Sequence, residues 1–276
     1  MSANAHSELT PQLQRSAEYL AGLRRVEVRP VCLPPALAPT SEQQAYQLQG
    51  EVARMLGRRI GGWKASLNSD GAGSSAPVFA SDLHTTAARI GSGLIERIGI
   101  EPEVAFSLRR DLPALPAGER YGRAQVLEAI DAAHAAIEIV ISRFRIYEQA
   151  PPLQQLADNL GNGGLVVGPA CRDWRNLDLP TLALELSVLP DHGEPCVFSV
   201  RGGHPLGDPL RPLVWMANHL CARGLALLAG QIVTTGSWAG LRFPGHGTRV
   251  IAQFAGLGRA ELNIDSATPA GLRSAR

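Results

Sequence analysis

Glu101 and Glu103 stand two residues apart in Glu101-Pro102-Glu103-Val104-Ala105-Phe106, and a third carboxylate, Glu138, interrupts the apolar run Ala135-Ala136-Ile137-Glu138-Ile139-Val140-Ile141. In an extended chain the side-chain period of two points Glu101 and Glu103 to one face, about 7 Å apart. Glu138 has apolar neighbours on both sides, where an ionised carboxylate is expensive to bury unless a cation or hydrogen-bond donors satisfy it. Three converging carboxylates without Cys or neighbouring His select a hard cation that keeps some of its waters, so Mg²⁺ or Mn²⁺ fits better than zinc. A substrate with two adjacent oxygens can replace those waters and be polarised by a Lewis acid. The competing readings are an exposed strand face for Glu101 and Glu103, and a buried ion pair with Arg143 for Glu138.

Lys64 sits among Gly61, Gly62, Trp63 and Ala65. That small, apolar setting would strip water from the ammonium and lower its pKa toward a value useful for proton transfer, the alternative being a surface lysine at a strand start. Asp158-Asn159 precedes Gly161-Asn162-Gly163-Gly164, and Thr234-Thr235-Gly236-Ser237 follows an apolar turn; backbone N–H groups in such turns can hold an anion or simply close a tight turn. The glycine cluster lacks both GxGxxG and a GK[ST] ending, which argues against nucleotide binding. No GxSxG elbow accompanies a His and an Asp in a convincing order, so a serine hydrolase is not expected. Cys32, Cys171, Cys196 and Cys221 have no CxxC spacing, and neither a zinc site nor a disulfide framework follows from them.

The elements that must position these residues change character along the chain. Apolar positions Leu13, Ala17, Leu20 and Leu23 predict an amphipathic helix between Thr10 and Arg25, and a second helix capped by Ser41 runs on to Gly57 after a Pro-rich connector. From residue 60 onward the chain breaks into short apolar runs, with strands expected over 60–66, 101–109, 135–144, 163–168, 181–189, 194–200, 231–236 and 248–254, and helices near 122–134 and 208–223. Many strands with few intervening helices indicate an α+β fold. The polar Ser69-to-Ser75 stretch reads as a mobile loop. Three portions are expected: helical residues 1–60, a catalytic domain over 61–265 and a frayed tail over 266–276.

With 26 basic against 25 acidic residues, the chain offers no basic field for nucleic acid. No apolar run approaches the roughly 18 residues of a membrane span, and the N-terminus lacks a leader pattern; a soluble, cytoplasmic protein is the expectation.

Taken in order, Trp63-Lys64, Glu101-Pro102-Glu103-Val104-Ala105-Phe106, Ala136-Ile137-Glu138-Ile139-Val140, Asp158-Asn159, Gly203-His204-Pro205, Val214-Trp215-Met216-Ala217-Asn218-His219-Leu220 and Val233-Thr234-Thr235-Gly236-Ser237 resemble the 2-oxopent-4-enoate hydratase and 4-oxalocrotonate decarboxylase branch of the fumarylacetoacetate hydrolase superfamily. The resemblance spans roughly residues 10 to 264. It implies a mixed β-roll or distorted barrel with an N-terminal helical portion, and a divalent metal, Mg²⁺ or Mn²⁺, held by Glu101, Glu103 and Glu138. It implies a lyase of aromatic meta-cleavage catabolism that hydrates 2-hydroxy-2,4-dienoates, with a 2-oxo-3-enedioate decarboxylase, or a catalytically silent binding partner, as alternatives. Lys64 then serves in proton transfer or carboxylate binding, and Asp158, Asn159, Thr235, Gly236 and Ser237 contact the small acid substrate. A homo-oligomer is expected, with a companion decarboxylase or hydratase as a partner. Ile141, Gly161, Gln231 and Ala80 depart from residues common among relatives, which puts the standard substrate in question because groups behind the ligands tune proton transfer.

Overall fold

The computed structural model describes residues 10–26, 28–91 and 97–266. Its helices are α1 (Pro11–Gly22), α2 (Glu42–Met55), α3 (Arg123–Ala129), α4 (Pro152–Ala157) and α5 (Leu210–Ala222). Its strands are β1 (Ile60–Leu67), β2 (Gly73–Phe79), β3 (Leu83–Thr85), β4 (Ala88–Ile90), β5 (Gly99–Leu108), β6 (Ile130–Val140), β7 (Asn162–Val167), β8 (Ala183–Pro190), β9 (Cys196–Arg201), β10 (Ile232–Ser237), β11 (Thr248–Phe254) and β12 (Gly258–Ile264). They divide into a helical unit, residues 1–59 with 142–161, and a sheet unit, residues 60–141 with 162–276. The grouping of 142–161 with the N-terminal helices differs from the sequence-based boundaries, which left that segment in the catalytic domain. The tail beyond Ser266 lies outside the described residues.

In the helical unit, Thr10 and Ser41 cap α1 and α2 by accepting from Leu13 N and Gln44 N. The helices bury Leu13, Ala17, Leu20, Ala45, Leu48 and Val52 in one cluster with Phe144, Leu156 and Ala157. Polar ties fix the later segment there: Leu33 N donates to Gln154 Oε1 at 2.7 Å, and Gln49 Nε2 donates to the Leu156 carbonyl at 2.6 Å.

The sheet unit holds a seven-stranded mixed sheet in the order β2-β1-β10-β5-β6-β7-β3 and a five-stranded sheet in the order β4-β12-β11-β8-β9. Alternation gives the larger sheet two faces. Trp63, Ala65, Val104, Phe106, Ala135, Ile137 and Val233 face outward into the main core, shared with α5 and the smaller sheet. Val78, Ala105, Ala136, Leu165 and Ile232 form a second apolar cluster on the opposite face. That face also carries Lys64, Glu101, Glu103, Thr234 and Glu138, by the period of two along each strand. In a flat sheet β1 and β6, three strand spacings apart, would stand roughly 14 Å from each other. Lys64 Nζ lies 2.7 Å from Glu138 Oε1, so the sheet must curl with this face inside. Its edge strands β2 and β3 do not pair with each other, so the roll stays open.

Most expected strands coincide with observed ones, β2, β3, β4 and β12 lie outside the expected ranges, and two of the differences have physical causes. β6 begins at Ile130, inside the segment expected to be helical, because Ala132 to Ala136 pair along β5 and that pairing outweighs the helix propensity of alanine. The Ser69-to-Ser75 stretch is a hairpin turn leading into β2, whose start at Gly73 lies so close to the Trp215 indole that a Cβ would come within 2.4 Å of it. The segment Gly258–Ile264, absent from the expected strands, forms β12 between β4 and β11.

Candidate metal and substrate site

Register brings the carboxylates together. Glu101 on β5 stands directly opposite Glu138 on β6, and Glu103 follows two residues on along the same face. Each of the three can contribute one oxygen to a group whose members lie within 4.8 Å of one another. Glu138 is fully buried and Glu103 nearly so, while Glu101 is partly exposed.

The surroundings of each carboxylate differ. Glu103 Oε2 accepts from the Thr234 hydroxyl and, at 2.8 Å, from the Gly236 backbone N–H. The Thr234-to-Ser237 turn thus holds an anion as its composition suggested, and the anion is the protein's own carboxylate. Gly236 has φ +116°, a conformation open to glycine at low cost, and this irregularity in the β10–β5 register turns its N–H toward Glu103. Glu138 Oε1 accepts from Lys64 Nζ at 2.7 Å and from Asn162 Nδ2 at 3.0 Å. Its other oxygen, Oε2, is buried without a hydrogen-bond partner.

Three acids around one lysine leave an excess of negative charge. Burial first, then the Glu138 and Glu101 charges, push the Glu103 carboxyl up to about 8, against the opposing pull of Lys64 and the Thr234 hydrogen bond. Burial also raises Glu101, with Lys64 opposing and Glu138 reinforcing. An all-oxygen donor set, an orphaned buried carboxylate oxygen and a carboxyl whose pKa is raised by burial and by its two acidic neighbours together fit a hard divalent cation.

The remaining expected site residues divide. Ser237 lies opposite Glu103 in the β10–β5 register, and its hydroxyl is buried without a partner. Thr235 is turned away: its hydroxyl donates to the Val104 carbonyl at 2.9 Å, and Thr234, which the sequence reading did not select, makes the contact with Glu103. Asp158 and Asn159 belong to the helical unit. There Asp158 is taken up by Arg143, which donates to it from its backbone N at 2.9 Å and from its guanidinium, and by the Ser142 hydroxyl at 3.1 Å. Arg143 is therefore the partner of Asp158, and Lys64 holds the place beside Glu138 that the ion-pair alternative gave to Arg143. Asn159 adopts φ +54° and buries its amide oxygen without a hydrogen bond.

Gln231, one of the departures, has a local explanation. Its Oε1 accepts from Leu228 N at 3.0 Å and Trp63 Nε1 at 3.3 Å, while its Nε2 donates to the Ile60 carbonyl at 3.4 Å, a donor role closed to an ionised aspartate. It anchors the turn before β10 to the start of β1. The sequence signal that could have found Thr234 and Asn162 was their place in turn-forming stretches next to strands, but the inward face of Thr234 is set by its register with Ala105 and that of Asn162 by a bulge, neither of which composition reveals.

Residues 62–265 match the family model described as fumarylacetoacetate (FAA) hydrolase C-terminal. The chain is 30% identical over 236 residues to 2-keto-4-pentenoate hydratase 2 of Dechloromonas aromatica (strain RCB), covering 80% of this chain and 86% of that protein. It is 31% identical over 164 residues to 2-hydroxyhexa-2,4-dienoate hydratase of Comamonas testosteroni, covering 59% of each. Its fold superposes on 4-oxalocrotonate decarboxylase from Pseudomonas putida G7, solved with magnesium and adipate, with a TM-score of 0.77 at 20% identity over 92% of this chain and 97% of the other.

Proposed function

The chain belongs to the fumarylacetoacetate hydrolase family, and from that membership we propose that it is a divalent-metal-dependent lyase that hydrates 2-hydroxy-2,4-dienoates, with Glu101, Glu103 and Glu138 as the metal ligands. The observation that carries the reading is the buried trio of carboxylates with one oxygen of Glu138 left without a partner. The hydratase names of the relatives at about 30% identity set the reaction class, and the decarboxylase likeness supports the fold.

Bound Mg²⁺ or Mn²⁺ would supply Lewis acidity that stabilises negative charge on the C2 oxygen of a 2-oxo acid or its dienol. The chain's own residues do the rest. Lys64 holds a proton at Nζ on the same inner face as the three acids, its side chain only 11% exposed, so it can deliver that proton to a substrate carbon or bind a substrate carboxylate. The Thr234 hydroxyl and Gly236 N–H fix the Glu103 carboxylate and favour its ionised form once a cation is present. Ser237 Oγ offers an unspent hydroxyl for a substrate oxygen. The roll's apolar floor of Val78, Ala105, Ala136, Leu165 and Ile232 keeps bulk water from one side of the site. The same reading takes the chain as a cytoplasmic homo-oligomer acting on a small 2-oxo or 2-hydroxydienoate acid.

Purified protein offered 2-hydroxypenta-2,4-dienoate with Mg²⁺ or Mn²⁺ should consume the dienol absorbance without releasing CO₂. Stoichiometric CO₂ from 2-oxohex-3-enedioate, with the dienol left untouched, would replace hydration by decarboxylation. Absence of both turnover and Mn²⁺ binding would return the chain to a silent relative.

A further inference from the structure

The Asn162-Gly163-Gly164 stretch has no role in the reading above, yet the β6–β7 register depends on it. Glu138 pairs with Leu165 and Ile139 with Gly164, but Val140 pairs with Asn162, so one step along β6 is matched by two along β7. The extra residue is a β-bulge, and it reverses the parity of what precedes it. Leu165 faces the inside of the roll; with regular pairing Gly163 would share that face and Asn162 would point out. The bulge places Asn162 opposite Val140, on the face that carries Glu138.

Both bulge glycines are required by their surroundings. Gly164 has φ +151°, and a Cβ there would come within 2.8 Å of the Asp82 carbonyl; a Cβ on Gly163 would meet Ile141 at 2.8 Å. The large Ile141 thus fits against a residue with no side chain.

The re-aimed amide has a specific effect. A carboxylate oxygen offers about two lone-pair positions. At Glu138 Oε1 Lys64 Nζ and Asn162 Nδ2 take both, leaving Oε2 as the oxygen without a hydrogen-bond partner. Asn162 Nδ2 also lies 3.5 Å from the Gly164 carbonyl, which fixes the amide with its NH₂ toward the carboxylate. We propose that the Asn162-Gly163-Gly164 bulge is a positioning device that holds Glu138 for metal binding independently of Lys64, so that the lysine can leave Glu138 during turnover without releasing the ligand. Asn162 is neutral and built into a strand, whereas Lys64 reaches the carboxylate on a flexible stem. The proposal rests on the three-glutamate metal site proposed above.

Mn²⁺ titration by calorimetry of wild type, Asn162→Ala and Lys64→Met tests it. Asn162→Ala should weaken Mn²⁺ affinity about 10–100-fold, the usual effect of removing a group that orients a ligand, while the thermal transition of the metal-free protein is retained. Lys64→Met should keep wild-type affinity or exceed it, because a competing cation has left. Affinity within twofold of wild type in Asn162→Ala would overturn the proposal, as would an equal loss in both variants. Should Asn162→Ala lose its cooperative transition, Asn162→Ser, which keeps a small polar group in the bulge, repeats the measurement with the same expected loss. Wild type that fails to bind Mn²⁺ would remove the metal site itself, and the positioning role with it, an outcome distinct from the failure of Asn162 alone.

Discussion

Each unit of the molecule holds an ion pair with both side chains buried, Arg143–Asp158 in one and Lys64–Glu138 in the other, and the two are finished differently. In the helical unit, Arg143 and Asp158 close on each other: one carboxylate oxygen takes the guanidinium, the other takes the Arg143 backbone N–H and the Ser142 hydroxyl, and the guanidinium also donates to the Asp158 carbonyl. In the sheet unit, Lys64 and Glu138 remain open, with Glu138 Oε2 unpartnered and two more acids beside it. Removing two charges from water costs several kcal/mol per ion, and only a full set of donors and acceptors offsets it. A pair that satisfies itself holds a fold; a pair left short of positive charge is set up to receive a cation.

The largest expected effect comes from breaking the open pair. Glu103→Gln and Glu138→Gln each delete ligand charge with little change of volume, and each should abolish turnover, Glu101→Gln behaving similarly. Yet the metal-free Glu103→Gln variant should be as stable as wild type or more so, since the acid destabilised by burial and by its two acidic neighbours is gone. Near wild-type activity at limiting metal in either variant would show that these carboxylates are not the ligands. The sign of the pH dependence adds a second readout. Glu103 is pushed from its ordinary 4.5 up to about 8, so between those values the folded protein binds more protons than the unfolded chain, and the stability of the metal-free protein falls as pH rises through that window. Glu103→Gln should flatten that slope in thermal melts taken between pH 5 and pH 8.

Breaking the closed pair should have the opposite signature. Asp158→Ala leaves the Arg143 guanidinium, 3% exposed in its side chain, buried without its counter-charge. Denaturant unfolding should show a loss of about 3–5 kcal/mol, the cost of stranding one partner of a buried pair. A loss below about 1 kcal/mol would place Asp158 among exposed pairs, and the contrast between the two ion pairs would disappear.

How much of this was legible in the sequence follows the same division. The three acids could be read because their chemistry is local: period two along β5 and an apolar run around Glu138 specify a face and a burial cost without knowledge of the partner strand. The long strands and the Ser41 cap were legible for the same reason. Partner choice was not. Arg143 lies five residues from Glu138 in sequence and Lys64 lies seventy-four, yet the curl of the sheet delivers the lysine and the helical unit claims the arginine. Irregular backbone hid the rest: the bulge before Leu165 turns Asn162 inward, and the kink at Gly236 turns its N–H onto Glu103. β2 was missed because its start is built of Gly, Ser and Ala, whose strand preference is weak, with Gly73 leaving room for the Trp215 indole.

The smallest effect separates two adjacent threonines. Thr234 and Thr235 are consecutive residues of one strand, so one hydroxyl faces the acids and the other donates to the Val104 carbonyl. Thr235→Val keeps the branched shape and removes a single buried hydrogen bond, which should cost about 1 kcal/mol. Because that hydroxyl touches none of the three glutamates, kcat/KM and Mn²⁺ affinity should stay at wild-type values while the denaturation midpoint shifts. A fall in kcat/KM of tenfold or more with stability unchanged would restore Thr235 to the substrate contacts that the sequence suggested, and would require the β10 strand to rotate its side chains when substrate binds. Thr234→Val, measured beside it, should weaken Mn²⁺ binding instead, since it strips a donor from Glu103 and favours the protonated acid that cannot ligate.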